Sequence, residues 1–146
     1  MDWMTAPFRK YADFNGRATR REFWFFLFLY TVAVLAANFF DAMDGERIVV
    51  TARMGAAELT ISILLLLPFL SCSARRLHDS DRSGWWLMIL YVPYIGWMAA
   101  QNNHQGELVA SGAILVGFVA LVVLFLMPGT PMENRYGQNP RGVGSV

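Results

Sequence analysis

Residues 23–40 read FWFFLFLYTVAVLAANFF, an unbroken apolar stretch with no charged side chain. Crossing a hydrocarbon core about 30 Å thick takes about 20 helical residues, and as few as about 17 suffice. This run meets that length. It is apolar on every side, so a helix built from it has no face suited to water. A membrane barrel strand would alternate apolar and polar residues instead. In lipid a helix satisfies its own backbone hydrogen bonds, and it is therefore the expected form.

Three further runs follow, at residues 59–74, 85–100 and 108–127. The second reaches spanning length when residues 56–58 supply a turn at headgroup level. The third is short and needs snorkelling, local thinning or burial among neighbours. The sequence thus predicts an all-α fold, an integral membrane four-helix bundle. It forms a single membrane domain over residues 1–146, with spans at 23–40, 56–74, 85–100 and 108–127. Composition agrees, since 55% of the 146 residues are hydrophobic and 16% are charged, against about 45–50% and about 25% in soluble domains. Such apolar content excludes a disordered chain. The lone Cys72 excludes a framework of intrachain disulfides. A net charge of +1 argues against a nucleic-acid partner held by bulk charge. The polar residues 1–22 ahead of a long apolar run read as the flank of an internal signal-anchor.

Basic residues set the orientation. Of the twelve Lys and Arg, ten lie in residues 1–22, 75–84 and 128–146, and only Arg47 and Arg53 lie in the other two connectors. Cytoplasmic segments carry the Lys/Arg excess, so both termini and the middle connector are expected in the cytoplasm. The two outer connectors, 41–57 and 101–107, are too small to form folded domains. Trp24, Trp85, Trp86 and Trp97 fall near span ends, where amphipathic rings favour the interface.

Smaller signals refine this picture. Trp3, Met4, Pro7, Phe8, Tyr11 and Phe14 share one helical arc, which predicts a short N-terminal interfacial amphipathic helix. Pro7 suits that helix if it starts near Thr5. Thr19 and Glu22 match a capping box ahead of the first run. Pro68 and Pro93 tend to kink spans two and three, and kinked helices can line transport paths. Ala33/Ala37 and Ala113/Gly117 are small-residue pairs that allow close helix approach.

Three polar segments emerge on the inner side: FNGRATRREFW at 14–24, ARRLHDSDRSGWW at 74–86 and PGTPMENRYGQNP at 128–140. Set around four apolar runs, they resemble the bacterial inner-membrane proteins grouped as domain of unknown function 805. The resemblance covers about residues 11–140, and RRLHD with the following SGWW is its most specific part. It implies a small multi-span protein of the bacterial inner membrane, with Arg75, Arg76, Leu77, His78, Asp79, Ser83, Gly84 and Trp85 as recurring positions. It implies no activity.

The residues themselves point to binding. Arginine offers a planar fork suited to phosphate, and juxtamembrane basic residues attract anionic lipid. Arg17, Arg20, Arg21, Arg75, Arg76, His78, Asp79, Arg82 and Arg135 form the candidate site, for an anionic lipid headgroup or a protein partner. The same arginines could serve only to fix topology. Asp79 or Asp81 is expected to pair with a nearby arginine, and Ser83-Gly84 to turn the chain into the third span. Arg135 is expected to pack against the 75–81 segment through a carboxylate such as Asp79. His78 with Asp79 could act as an acid–base pair in a membrane enzyme, the weakest reading, and metal sites need three or four ligands. No catalytic residue, cofactor or metal site is assigned. A small transporter, channel or lipid-handling protein is the alternative, opposed by the lack of charged residues within the apolar runs. A homo-oligomer or a membrane-protein partner fits either reading.

Overall fold

The structure is a computed structural model that describes residues 2–44, 55–100 and 103–142. Residues 45–54, which hold most of the first outer connector with Arg47 and Arg53, lie outside the described residues, as do residues 101–102 of the second. The regular elements are helical: α1 Asp2–Arg9, α2 Arg20–Asp44, α3 Ala56–Asp79, a 3-10 turn at Gly84–Leu87, α4 Met88–Ala99 and α5 His104–Leu126. Among the described residues, α2, α3 and α5 are each long and apolar enough to cross a membrane. The third run forms the shortest of these segments, because the turn at Gly84–Leu87 takes up its first residues and leaves α4 with 12.

Helix ends differ from expectation at several places: α2 runs on to Asp44 and α5 starts at His104, each taking in residues expected in an outer connector. α1 starts at Asp2 and not near Thr5, so Pro7 lies inside the helix. The reason is tertiary: Trp3 meets Phe25 edge-on at 5.3 Å between ring centres, and Phe8 meets Phe26 at 5.5 Å. α3 does not stop at Ala74 but continues to Asp79, which makes Arg75, Arg76, His78 and Asp79 helical residues. At two boundaries the sequence signals hold. α2 starts directly after Thr19, at the capping box, and Ser83 caps the turn at Gly84 by accepting the Trp85 N–H. α3 and α4 each run through their prolines, Pro68 and Pro93.

The chain divides into two compact units, with α3 contributing to both. In the unit of residues 1–14 and 21–72, Tyr30 on α2 stacks on Phe69 of α3 at 5.2 Å. Asp41 on α2 accepts the Ala57 and Glu58 backbone N–H groups at 3.0 and 2.8 Å. It thereby supplies, from another helix, the side-chain cap that the first turn of α3 requires. The Tyr11 hydroxyl donates to the Leu64 carbonyl. The Ser71 hydroxyl lies 3.1–3.2 Å from the carbonyls of Lys10, Tyr11 and Pro68.

In the unit of residues 15–20 and 73–146, α4 packs on α5. A Cβ on Gly117 would stand 2.6 Å from the Ile89 carbonyl oxygen. Gly117, of the Ala113/Gly117 pair, therefore serves a contact within the chain, where backbone meets backbone closely.

Candidate functional site

The end of α3 organises the site. The Asp81 N–H bonds the His78 carbonyl and the Arg82 N–H bonds the Leu77 carbonyl, both at 3.0 Å. Asp81 takes φ 58. These are the two bonds and the left-handed residue of a Schellman ending, with aspartate where glycine is usual. The helix stops cleanly after Asp79, and Arg82 leads into Ser83 and the two tryptophans.

Asp79 is the centre. Its side chain is 3% exposed, and Oδ1 lies 2.9 Å from Arg17 Nη2 while Oδ2 lies 2.8 Å from Arg76 Nη1. Arg17 Nε also donates to Oδ1 at 3.0 Å. The Asp79 backbone carbonyl accepts the Thr130 N–H at 2.8 Å. One carboxylate thus faces two guanidinium groups, and carbonyl oxygens satisfy the remaining donors. Arg17 Nη2 donates to the Thr130 carbonyl at 2.6 Å, and Nη1 to the carbonyls of Met132 at 2.8 Å and Gly137 at 3.4 Å. Five N–H donors in a fixed fork allow arginine to serve so many acceptors.

Arg76 is fully buried. It donates from Nε to the Phe125 carbonyl at 3.1 Å, and from Nη2 to the Met127 carbonyl. Arg20 Nη1 donates to the Leu126 carbonyl at 3.2 Å. α5 has no basic residue in its own last turn. Its terminal carbonyls carry partial negative charge and are met by cations from elsewhere in the chain.

The segment after α5 straps this cluster. A Cβ on Gly129 would lie 2.0 Å from Asp79 Oδ2, so the strap passes directly over the carboxylate. Asn134 Nδ2 donates to the His78 carbonyl at 2.9 Å. Tyr136 stacks on the His78 imidazole at 3.8 Å with an interplanar angle of 3°. His78 Nδ1 lies 3.2 Å from the Gly16 carbonyl.

The candidate residues therefore separate. Arg17, Arg76 and Asp79 converge in the interior, with His78 beside them under Tyr136. Arg75 is fully buried, and its carbonyl accepts the Ala18 N–H at 2.9 Å. Arg135 does fold against this segment, but its partner is Asp81 at 3.1 Å and not Asp79. Two arginines already occupy both Asp79 oxygens, which leaves the exposed Asp81 for Arg135. Arg82 lies over the Trp86 ring at 5.6 Å. Arg21 is exposed on α2. His78 and Asp79 have separate partners, and neighbours on a helix diverge by about 100°. Among the described residues no group of three or more His, Cys, Asp or Glu stands close enough to hold a metal ion.

Sequence reasoning missed Gly129 and the carbonyl acceptors at Thr130, Met132 and Gly137. One signal was present. Arg76 and Asp79 stand three apart, the spacing of a helical ion pair, and that spacing supports carrying the helix past Ala74.

The chain is similar to proteins of the bacterial inner membrane. Inner membrane protein YhaH of Escherichia coli (strain K12) is 31% identical over 141 residues, covering 97% of this chain and 98% of its own. Inner membrane protein YhaI of the same organism is 29% identical, covering 97% of each. Uncharacterized protein YiiR of that strain is 26% identical over 135 residues, covering 90% of this chain and 88% of its own. No solved structure matches the chain. Residues 11–138, which hold the Asp79 cluster and its strap, match the family described as Protein of unknown function (DUF805), and the chain is a membrane protein of that family.

Proposed function

We propose that this chain is a non-enzymatic membrane module that binds anionic phospholipid on the cytoplasmic side of the bacterial inner membrane. In this reading it is one membrane domain that crosses four times, with both termini inside. The contiguous helical stretch from Gly84 to Ala99 is the third crossing, shortened and packed along α5. The arginine distribution supports the orientation, since ten basic residues fall on one side of such a path and two on the other.

The observation that carries the reading is the division of labour among arginines. Arg17 and Arg76 are consumed inside the protein by Asp79 and by carbonyls, whereas Arg135 is 63% exposed and Arg21 and Arg141 are exposed. The buried set holds the polar segments in place, and the outward set faces the headgroups. Juxtamembrane basic residues contribute about 1 kcal/mol each toward anionic lipid. The commitment of Asp79 to two arginines supports a structural role for it over acid–base chemistry.

Two measurements test the proposal. Reporter tags on both ends should be accessible from the cytoplasm alone, and a tag accessible from opposite sides would overturn the topology. Native mass spectrometry of the full chain from mild detergent should show phosphatidylglycerol retained over phosphatidylcholine, with less retention as salt rises. Equal retention of the two lipids would overturn the binding function.

A further inference from the structure

We infer that Arg82, Ser83, Trp85, Trp86 and Ile89 form the headgroup site for a single anionic phospholipid, an assignment that rests on the binding function proposed above. Arg82 differs from Arg17, Arg76 and Arg135 in its partner. Arg17 and Arg76 hold Asp79, and Arg135 holds Asp81. Among the described residues no carboxylate pairs with Arg82, and its guanidinium is held over the Trp86 ring at 5.6 Å. An arginine seated on an aromatic face keeps its charge and its donors while its position is fixed.

The surroundings say what the charge is for. Ser83, Trp85, Trp86 and Ile89 line an open hollow of about 320 Å³. Trp85 is 76% exposed and Trp86 43% exposed. Tryptophan is enriched where one end of the ring is in apolar surroundings and the other in water. Ile89 belongs to α4, so the lining of the hollow continues into an apolar helix. The Schellman ending at Asp81 fixes the backbone just before Arg82, and the Ser83 cap fixes it just after.

A cation beside an apolar shelf matches a ligand that carries a phosphate next to hydrocarbon. A phospholipid has that construction. A free phosphate would meet Arg82 but leave both tryptophans and Ile89 without a role. An anionic headgroup such as phosphatidylglycerol keeps its net charge beside Arg82, whereas a zwitterionic choline headgroup brings a second cation to the same place.

The test uses the full chain in mild detergent, titrated with phosphatidylglycerol or phosphatidylcholine and read by native mass spectrometry. Wild type should prefer phosphatidylglycerol. Arg82→Gln should reduce that preference about fivefold, and Trp86→Leu should reduce it as well, while Arg21→Gln and Arg135→Gln, at outward arginines that do not line the hollow, should reduce it by a smaller factor. Since no carboxylate among the described residues pairs with Arg82, Arg82→Gln should elute and unfold as wild type does. Inorganic phosphate at millimolar concentration should not displace the lipid. Displacement would show that the site takes phosphate alone and would overturn the lipid assignment. Retained preference in Arg82→Gln, with loss in Arg135→Gln or Arg21→Gln, would overturn this site and leave the broader function standing. Absence of any preference in wild type would overturn both.

Discussion

Arg17 and Asp79 lie 62 positions apart in the chain and meet at 2.9 Å in the interior. Both side chains are almost wholly removed from solvent, and Arg76 approaches the same carboxylate from the other side. Removing one partner of a buried pair leaves an uncompensated charge, which typically costs about 3–5 kcal/mol. Asp79→Asn leaves two buried guanidinium groups facing a neutral amide, and a loss of that size is expected in detergent unfolding. Arg17→Lys should also lose stability, because lysine cannot reproduce the fork that reaches Thr130, Met132 and Gly137. Arg135→Gln breaks an exposed pair and should change stability by about 0–1 kcal/mol.

The strap over Asp79 depends on the absence of a side chain at Gly129. Gly129→Ala places a methyl group 2.0 Å from Asp79 Oδ2, so strap or carboxylate must move, at a cost of about 1–3 kcal/mol. Limited trypsin digestion should then cut faster at Arg135 and Arg141. A cleavage rate equal to wild type would refute the close approach.

Two glycines of α5 make an internal comparison. Gly112 has nothing within 4 Å of where a Cβ would stand, whereas Gly117 faces the Ile89 carbonyl at 2.6 Å. Helix propensity alone favours alanine over glycine by up to about 1 kcal/mol. Gly112→Ala should therefore be neutral or stabilising. Gly117→Ala should destabilise by about 1–3 kcal/mol, as seen in thermal melting of the purified protein.

Asp81 occupies a left-handed conformation at φ 58, which aspartate tolerates and β-branched residues do not. Asp81→Gly should hold or slightly raise stability, since the relief of backbone strain offsets the exposed pair with Arg135. Asp81→Val should lower stability by about 1–3 kcal/mol, measured by denaturant titration. Equal effects of the two substitutions would show that the ion pair, and not the helix ending, decides this position.

At the opposite end of α3, Asp41 accepts two backbone N–H groups of the first turn. Asp41→Ala should cost about 0.5–2 kcal/mol, the range for a lost side-chain cap. Hydrogen exchange at Ala57 and Glu58 should rise ahead of exchange elsewhere in α3.

The helices were legible in the sequence wherever the signal is local. The apolar runs located α2 to α5, Thr19 marked the start of α2, and Ser83 marked the turn before α4. The fold-back of Arg135 onto the segment after α3 was also legible, from three polar segments bracketing the spans, but its carboxylate was not. The end of α3 was misplaced because hydropathy falls at Arg75, although the helix does not. The candidate site was legible as a set of residue types and hidden as an arrangement. Nothing in RRLHD distinguishes an arginine that faces phosphate from one sealed against a carboxylate.

By itself the sequence determined that long oily helices form and which connectors carry the arginines. Those properties follow from the transfer free energy of each residue in turn, summed along a line. Only the tertiary structure decided that Asp79 takes Arg17 and Arg76, that Asp81 takes Arg135, and that Gly129 and Gly117 are glycine for want of room. Such choices depend on distances between atoms far apart in the chain, and those distances exist only once the helices have packed.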